Sequence, residues 1–218
     1  IYDTFDGTGV LNTSLWEVYN PISPDRLEIT QNGGAYHAEL KDDGDPQETL
    51  WFNSNEGRLD YVNLSGDFEF IVRNIGIVSG SNSNEFQFCG LVMWESVGNY
   101  EFAVVGNRGG NGNTLEYKIT RNSSSRQDDT GNNTFPNGKA DLLLKREGAT
   151  INFYYKQPSS DDSEGSWTLV NHNGLYQDRI TFSDNIRVGL VTYGYSFPEP
   201  FTCTADQVEI GKPSLLSW

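Results

Sequence analysis

Carboxylates and aromatic rings, rather than histidine or cysteine, carry what chemistry this sequence offers. There are two histidines, His37 and His172, and two cysteines, Cys89 and Cys203. Ser-His and Cys-His nucleophile arrangements have little material to draw on. No Cys-x-x-Cys pair points to zinc. The cysteines form either one disulfide or two buried thiols; Cys89 lies in an apolar strand pattern. Glu95, Glu101 and Glu116 fall on predicted strands and could approach one another, though a solvated sheet face accounts for them more simply. Sugar binding asks for less. Pyranose rings stack their C–H faces on aromatics, and their hydroxyls take bidentate polar partners. Trp51 is out of phase with Leu50 and Phe52. Tyr193, Tyr195 and Phe197 lie at a strand end and in the loop before Pro198. Asn107 and Arg108 lie in a Gly-rich loop. Each of these, taken singly, also fits ordinary packing or loop cover. Asp42, Asp43 and Asp45 offer the hard oxygens calcium needs, but without the full EF-hand pattern.

Such groups need a rigid scaffold, and composition bounds it. The 218 residues include 12 Phe, 11 Tyr and 5 Trp, enough for a packed core. Clustered Gly, Asn and Ser between apolar runs suit hairpin loops. The formal net charge is −15, which argues against nucleic acid and anionic membranes as partners. No stretch approaches the ~20 apolar residues of a spanning helix. The sequence begins at Ile1 without a basic-then-apolar leader, so a removed signal peptide or an excised domain is expected, leaving flanking domains open. Asn-x-Ser/Thr sequons occur at Asn12, Asn63, Asn122 and Asn132, a number that chance also supplies in a chain this rich in Asn and Ser.

The predicted elements are short strands. Phe68, Phe70 and Val72 alternate with Asp67, Glu69 and Arg73, the period of a half-buried strand. Strands are expected at Phe86–Trp94 and Tyr100–Val105, joined by a tight turn, and at Leu115–Ile119. Residues 121–138 are polar and read as one long loop. Further strands follow at 140–145, 151–156, 167–170, 186–195 and 206–210. The N-terminal third adds 2–5, 16–19, 27–30, 35–40 and 48–52. No window shows a sustained helical period. The expectation is one all-β domain over 1–218, an antiparallel β-sandwich.

The order of these segments resembles a known superfamily. Asp3-Thr4-Phe5-Asp6-Gly7 with Leu11 to Trp16 is similar to the opening of concanavalin A-like jelly rolls. Asp67–Arg73, Cys89 to Trp94 and Asn99-Tyr100 resemble their central strands. Arg146-Glu147-Gly148, Asn152 to Tyr155 and Ser166 to Val170 resemble a later hairpin. Val188 to Leu190 and Asp206 to Ile210 resemble the closing strands. The relatives include laminin-G-like domains appended to bacterial glycoside hydrolases and cell-surface proteins. The resemblance implies a jelly roll in which Trp16, Trp94 and Trp167 occupy core positions. It also implies a structural calcium near the paired terminal strands, with Asp3, Asp6 and Asp206 as the matching carboxylates. The Glu-x-Asp-x-x-Glu strand of the glucanases and the Gln-x-His strand of the alginate lyases are both missing. The expectation is therefore a non-catalytic, lectin-like module, extracellular or on a cell or virion surface, with a polysaccharide or glycan as partner. An adhesion or receptor-binding domain is one alternative. A hydrolase or lyase with an unfamiliar site is the other.

Overall fold

Two antiparallel sheets pack face to face in the computed structural model, and the alternation read from the sequence decides which side chains lie between them. The structure describes residues 1–19, 27–41, 58–79, 86–109, 112–131, 134–135, 137–158, 166–170, 182–195 and 200–212. The larger sheet runs β13 (Thr168–Leu169), β12 (Thr150–Lys156), β11 (Lys139–Glu147), β6 (Phe68–Ser79), β15 (Phe201–Ala205), β4 (Ala35–Leu40) and β3 (Leu27–Asn32). Its terminal strands β1 (Tyr2–Asp3) and β16 (Gln207–Gly211) pair with each other, and β16 pairs with β6. The smaller sheet runs β10 (Ser124–Asp129), β9 (Asn113–Arg121), β8 (Asn99–Arg108), β7 (Phe86–Ser96), β14 (Asn185–Tyr195), β5 (Arg58–Ser65) and β2 (Glu17–Tyr19). No helix occurs among the described residues.

Phe68, Phe70 and Val72 of β6 are buried and point between the sheets with Leu142 and Leu144 of β11, as their period demands. Leu91, Ala103, Val105 and Leu115 face them from the smaller sheet. Tyr117 meets Phe153 edge-on across the interface, with ring centroids 5.3 Å apart. Cys89 on β7 and Cys203 on β15 are bridged, so one disulfide ties the two sheets. This closes the choice between cystine and free thiols.

Three strands were not foreseen. Residues 124–129 form β10, inside the expected long loop. Every side chain of this edge strand is polar, and it pairs with β9 through the backbone ladder and a Thr120–Ser125 hydroxyl contact at 2.8 Å, so it carries no apolar period to read. Asn122 and Ser123 adopt φ of 47° and 64°, the two positive values a tight hairpin turn needs. β5 and β15 were missed because their inward phase mixes apolar residues with polar or small ones: Asp60 stands in phase with Val62 and Leu64 on β5, and Cys203 and Ala205 follow Phe201 on β15. The expected strand over 48–52 lies outside the described residues.

Candidate functional site

The outward faces of the two sheets differ in chemistry. That of the larger sheet is an ordinary solvated surface of paired charges. Arg73 bridges Asp141 and Glu209, Lys145 reaches Glu69 and Glu147, and Lys156 reaches Asp141. Trp167 lies there, half-buried beneath Arg73 and Lys156, whose charged groups stand 5.6 and 5.1 Å from its ring. It is therefore not the core residue the resemblance implies.

The outward face of the smaller sheet is built of rings and buried polar groups. Directly opposed residues of neighbouring strands point to the same side. The register therefore gathers Phe88, Tyr193, Tyr100, Phe102, Lys118 and Glu116 here, all buried. The hydroxyl of Tyr193 donates to Glu116 Oε1 at 2.9 Å. Phe88 stacks on Tyr193, and Phe102 lies tilted 5.8 Å from it. The Lys118 ammonium sits 5.9 and 6.0 Å from the rings of Tyr100 and Phe102. Glu116 is directly opposed by Asp129 on β10, and Asp129 is ion-paired with Arg108, whose side chain is 33 % exposed.

Burial sets the electrostatics of this group. Loss of water raises the Glu116 pKa above the ordinary glutamate value, against the lowering effects of the Tyr193 hydrogen bond, Arg108 and Lys118. Burial lowers Lys118 to about 8, with Glu116 acting the other way. Burial, followed by the Glu116 charge, holds the Tyr193 phenol well above its usual value. The result is a carboxyl with a raised pKa and an ammonium with a lowered one, side by side on one sheet face.

A second group lies at the other end of the face, about 20 Å along β14 at a strand rise of ~3.3 Å per residue. Arg187 is cross-strand partner to both Trp94 and Asn63, and Tyr19, Tyr61 and Glu17 adjoin it. Tyr19 and Trp94 have ring centroids 4.8 Å apart. Trp94 is thus buried, as expected, but on the outward side.

Of the expected ligand-binding residues, the structure brings Arg108 and Tyr193 together through Glu116. Asn107 points the other way, between the sheets, where it is buried. Both Asn107 and Arg108 close β8 rather than lying in a loop, because their pairing with Gln87 and Phe86 extends the ladder. Tyr195 pairs with Phe86, but its side chain lies outside the described residues, as do Trp51, Phe197, Asp42, Asp43 and Asp45. The glutamates separate. Glu101 faces inward and accepts from Tyr117 at 2.8 Å, while Glu95 caps the Ser183 N–H at 3.0 Å.

The calcium set does not assemble into an oxygen cage. Asp3 spends one oxygen on the Phe5 N–H at 2.9 Å and the other on the Trp16 indole N–H at 2.6 Å. Asp6 accepts from the Thr4 hydroxyl, and Asp206 from Asn74 at 2.8 Å. No three His, Cys, Asp or Glu side chains converge among the described residues. Asp3 and Asp6 thus bond within the N-terminal segment, and Asp206 bonds to Asn74 of β6.

No protein-family profile and no curated protein sequence matches the chain. Solved structures do. A functionally unknown protein from Saccharomyces cerevisiae is 16 % identical at a TM-score of 0.67, over 92 % of this chain and 98 % of that one. A β-1,3-glucanase from Mycobacterium marinum is 10 % identical at 0.56, over 97 % of each chain. A xylan β-1,4-xylosidase from Bacillus halodurans C-125 is 16 % identical at 0.62, but 97 % of this chain spans only 39 % of that one. The chain shares the antiparallel sandwich fold of these proteins.

Proposed function

We propose that this chain is a carbohydrate-binding module whose glycan-bearing surface is the outward face of the smaller sheet. The observation that carries the reading is the contrast between the two outward faces. A sheet face that merely meets water is expected to look like that of the larger sheet, with charges paired across strands. The other face instead carries rings, a carboxyl, an ammonium and a guanidinium, held by the Tyr193–Glu116 hydrogen bond, the Arg108–Asp129 ion pair and the Lys118–Tyr100 contact. Rings for stacking and a few placed polar groups are what sugar recognition requires. The glucanase and xylosidase names among the similar structures add support, as does the partial span of the xylosidase, which fits a module beside other domains. The cystine between the sheets favours an oxidising, extracellular or surface location.

The test is a glycan array with the purified chain, followed by affinities of Arg108→Ala. Wild-type binding to a defined polysaccharide, weakened tenfold or more in the variant, is the expected result. A folded wild-type chain that binds no glycan would sink the proposal.

One observation favours hydrolysis as a second reading. Glu116, with its raised pKa, directly opposes the ion-paired Asp129, and glycoside hydrolysis uses a protonated carboxyl beside a charged one. New reducing ends released from the bound polysaccharide, and lost in Glu116→Gln, would replace the binding-module reading with this one.

A further inference from the structure

We propose that the Arg187 end of this face is a subsite for an anionic sugar, one whose ring carries a carboxylate or a sulfate. The inference rests on the glycan-binding reading and names the ligand class of one part of that face.

The argument starts from what Arg187 lacks. The chain has 30 acidic and 15 basic residues, so a basic side chain finds a carboxylate easily. Arg58 takes Asp60, Arg73 takes Asp141 and Glu209, and Arg108 takes Asp129. Arg187 takes none among the described residues. Its guanidinium carbon stands instead 4.7 Å from the Trp94 ring centroid, 5.2 Å from Tyr61 and 5.9 Å from Tyr19.

The nearest acid is held back. Glu17 accepts from the Tyr61 hydroxyl at 3.0 Å and from the Asn63 amide at 2.7 Å. Both of its oxygens are therefore engaged, and it does not reach the guanidinium.

This is an arrangement that keeps a cation ready. Rings attract the guanidinium through their π faces, and a hydrogen bond to Tyr61 helps to hold it, without using all of its five N–H donors. The fork that remains matches an oxyanion in two parallel bonds. Arg187 and Tyr19 are half-buried, and Glu17 and Asn63 are exposed, so this end of the face is open to a ligand. The sugar ring then has Tyr19 to stack on, and Asn63 lies directly across the strand from Arg187.

Charge along the face points the same way. The register puts Arg108, Lys118 and Arg187 on it against Glu17, Glu116 and Asp129. In a chain of net charge −15 this surface is balanced among the described residues, and it turns positive once Glu116 holds its proton. An anionic chain is repelled elsewhere, and that repulsion is screened beyond about 8 Å at physiological salt.

The experiment measures affinity for three probes by titration calorimetry: uronate oligosaccharides of the galacturonate, mannuronate and glucuronate series, dextran sulfate, and neutral xylo- and cello-oligosaccharides. Wild-type protein is expected to bind an anionic probe at least tenfold more tightly than any neutral one. Arg187→Gln should abolish that preference, weakening anionic binding at least tenfold. Glu17→Gln, which removes the neighbouring negative charge, should strengthen anionic binding severalfold, a gain that a damaged fold does not produce. Arg187-dependent binding of uronates but not dextran sulfate assigns the carboxylate, and the reverse assigns the sulfate. Neutral probes binding as tightly as anionic ones, or anionic binding unchanged in Arg187→Gln, overturns the subsite while glycan binding stands. No binding to any probe removes both.

Discussion

Glu116 shows how one buried side chain ties the candidate site to the stability of the fold. Its folded-state pKa lies above its unfolded value of about 4.5, because burial penalises the charged form more than Tyr193, Arg108 and Lys118 favour it. As pH rises, the unfolded chain releases this proton first. The native state then binds more protons than the unfolded one, and stability falls with pH from the ordinary glutamate range up through the raised pKa. Below that window the group is protonated in both states and its cost disappears. Glu116→Gln keeps an oxygen for the Tyr193 hydroxyl and carries no charge at any pH. Denaturant unfolding at two pH values is the check: the variant should match wild type at pH 4 and exceed it at pH 7. A variant less stable than wild type at pH 7 would mean that the ionised carboxylate is a net stabilising partner of Lys118 and Arg108. Lys118 has the opposite sign. Its pKa is lowered to about 8, so its contribution to stability grows as pH rises from there toward the ordinary lysine value of 10.5. The two groups leave the site least favourable to folding between their windows, near neutral pH, which is where a face kept for a ligand rather than for stability would leave it.

At the scale of strands, what the sequence disclosed was whatever burial writes into period two. β6 alternates Phe68, Phe70 and Val72 with Glu69, Ile71 and Arg73 where the pattern put it, and it runs on to Ser79, beyond the Asp67–Arg73 that the alternation marks. The β7–β8 hairpin turns at Val97 and Gly98, one residue inside the expected turn at each end. β10 was illegible because an edge strand that buries nothing needs no apolar residue. Its register is set by the Asn122–Ser123 turn, and asparagine and serine are common enough to hide a turn inside a polar run. The same limit explains the candidate site. β9 reads Leu115, Tyr117 and Ile119 as the buried set, which is correct for the inward side. That pattern labels Glu116 and Lys118 as solvent-facing, yet both are buried, packed among the rings of Tyr100, Phe102 and Tyr193 on the outward side. Alternation reports one buried face and is silent about a second. The available signal was the aromatic content of the opposite phase: Phe88, Trp94, Tyr100 and Phe102 are out of step with the core residues of their own strands. A solvated face does not carry four rings on two adjacent strands. Arg187 gave no signal at all, since its unusual surroundings come from β2, β5 and β7, which only the folded register brings to it.

For the whole molecule, the link that matters most joins its two layers. Cys89 and Cys203 are 114 residues apart in sequence and fully buried, one in each sheet. In the chain-entropy account, a cross-link closing a loop of about a hundred residues restricts the unfolded state by up to about 4.7 kcal/mol, and native disulfides contribute roughly 2–5 kcal/mol. That is a large share of the 5–15 kcal/mol of an ordinary domain. The bridge crosses the apolar interface rather than a surface loop, so its removal also leaves two buried sulfurs with a weakened contact between the layers. Two consequences follow for guanidinium unfolding. Reductant added to the native protein should do little at first, because neither sulfur is accessible until the sheets part. Reductant present throughout unfolding should lower the midpoint by the equivalent of roughly 2–5 kcal/mol. Cys89→Ala, Cys203→Ala and the double variant should all show about the same loss, because either single change already removes the cross-link, and the second then deletes only a buried thiol. Additive losses in the single variants would show that packing of each sulfur, not the link, supplies the stability. An unmoved midpoint under reduction would show that the two sheets hold together without it. If the loss is as large as expected, a reducing compartment would leave the sandwich marginal, and the outward face of the smaller sheet with it, since every ring and charge on that face is placed by the strand register of the sheet that Cys89 anchors.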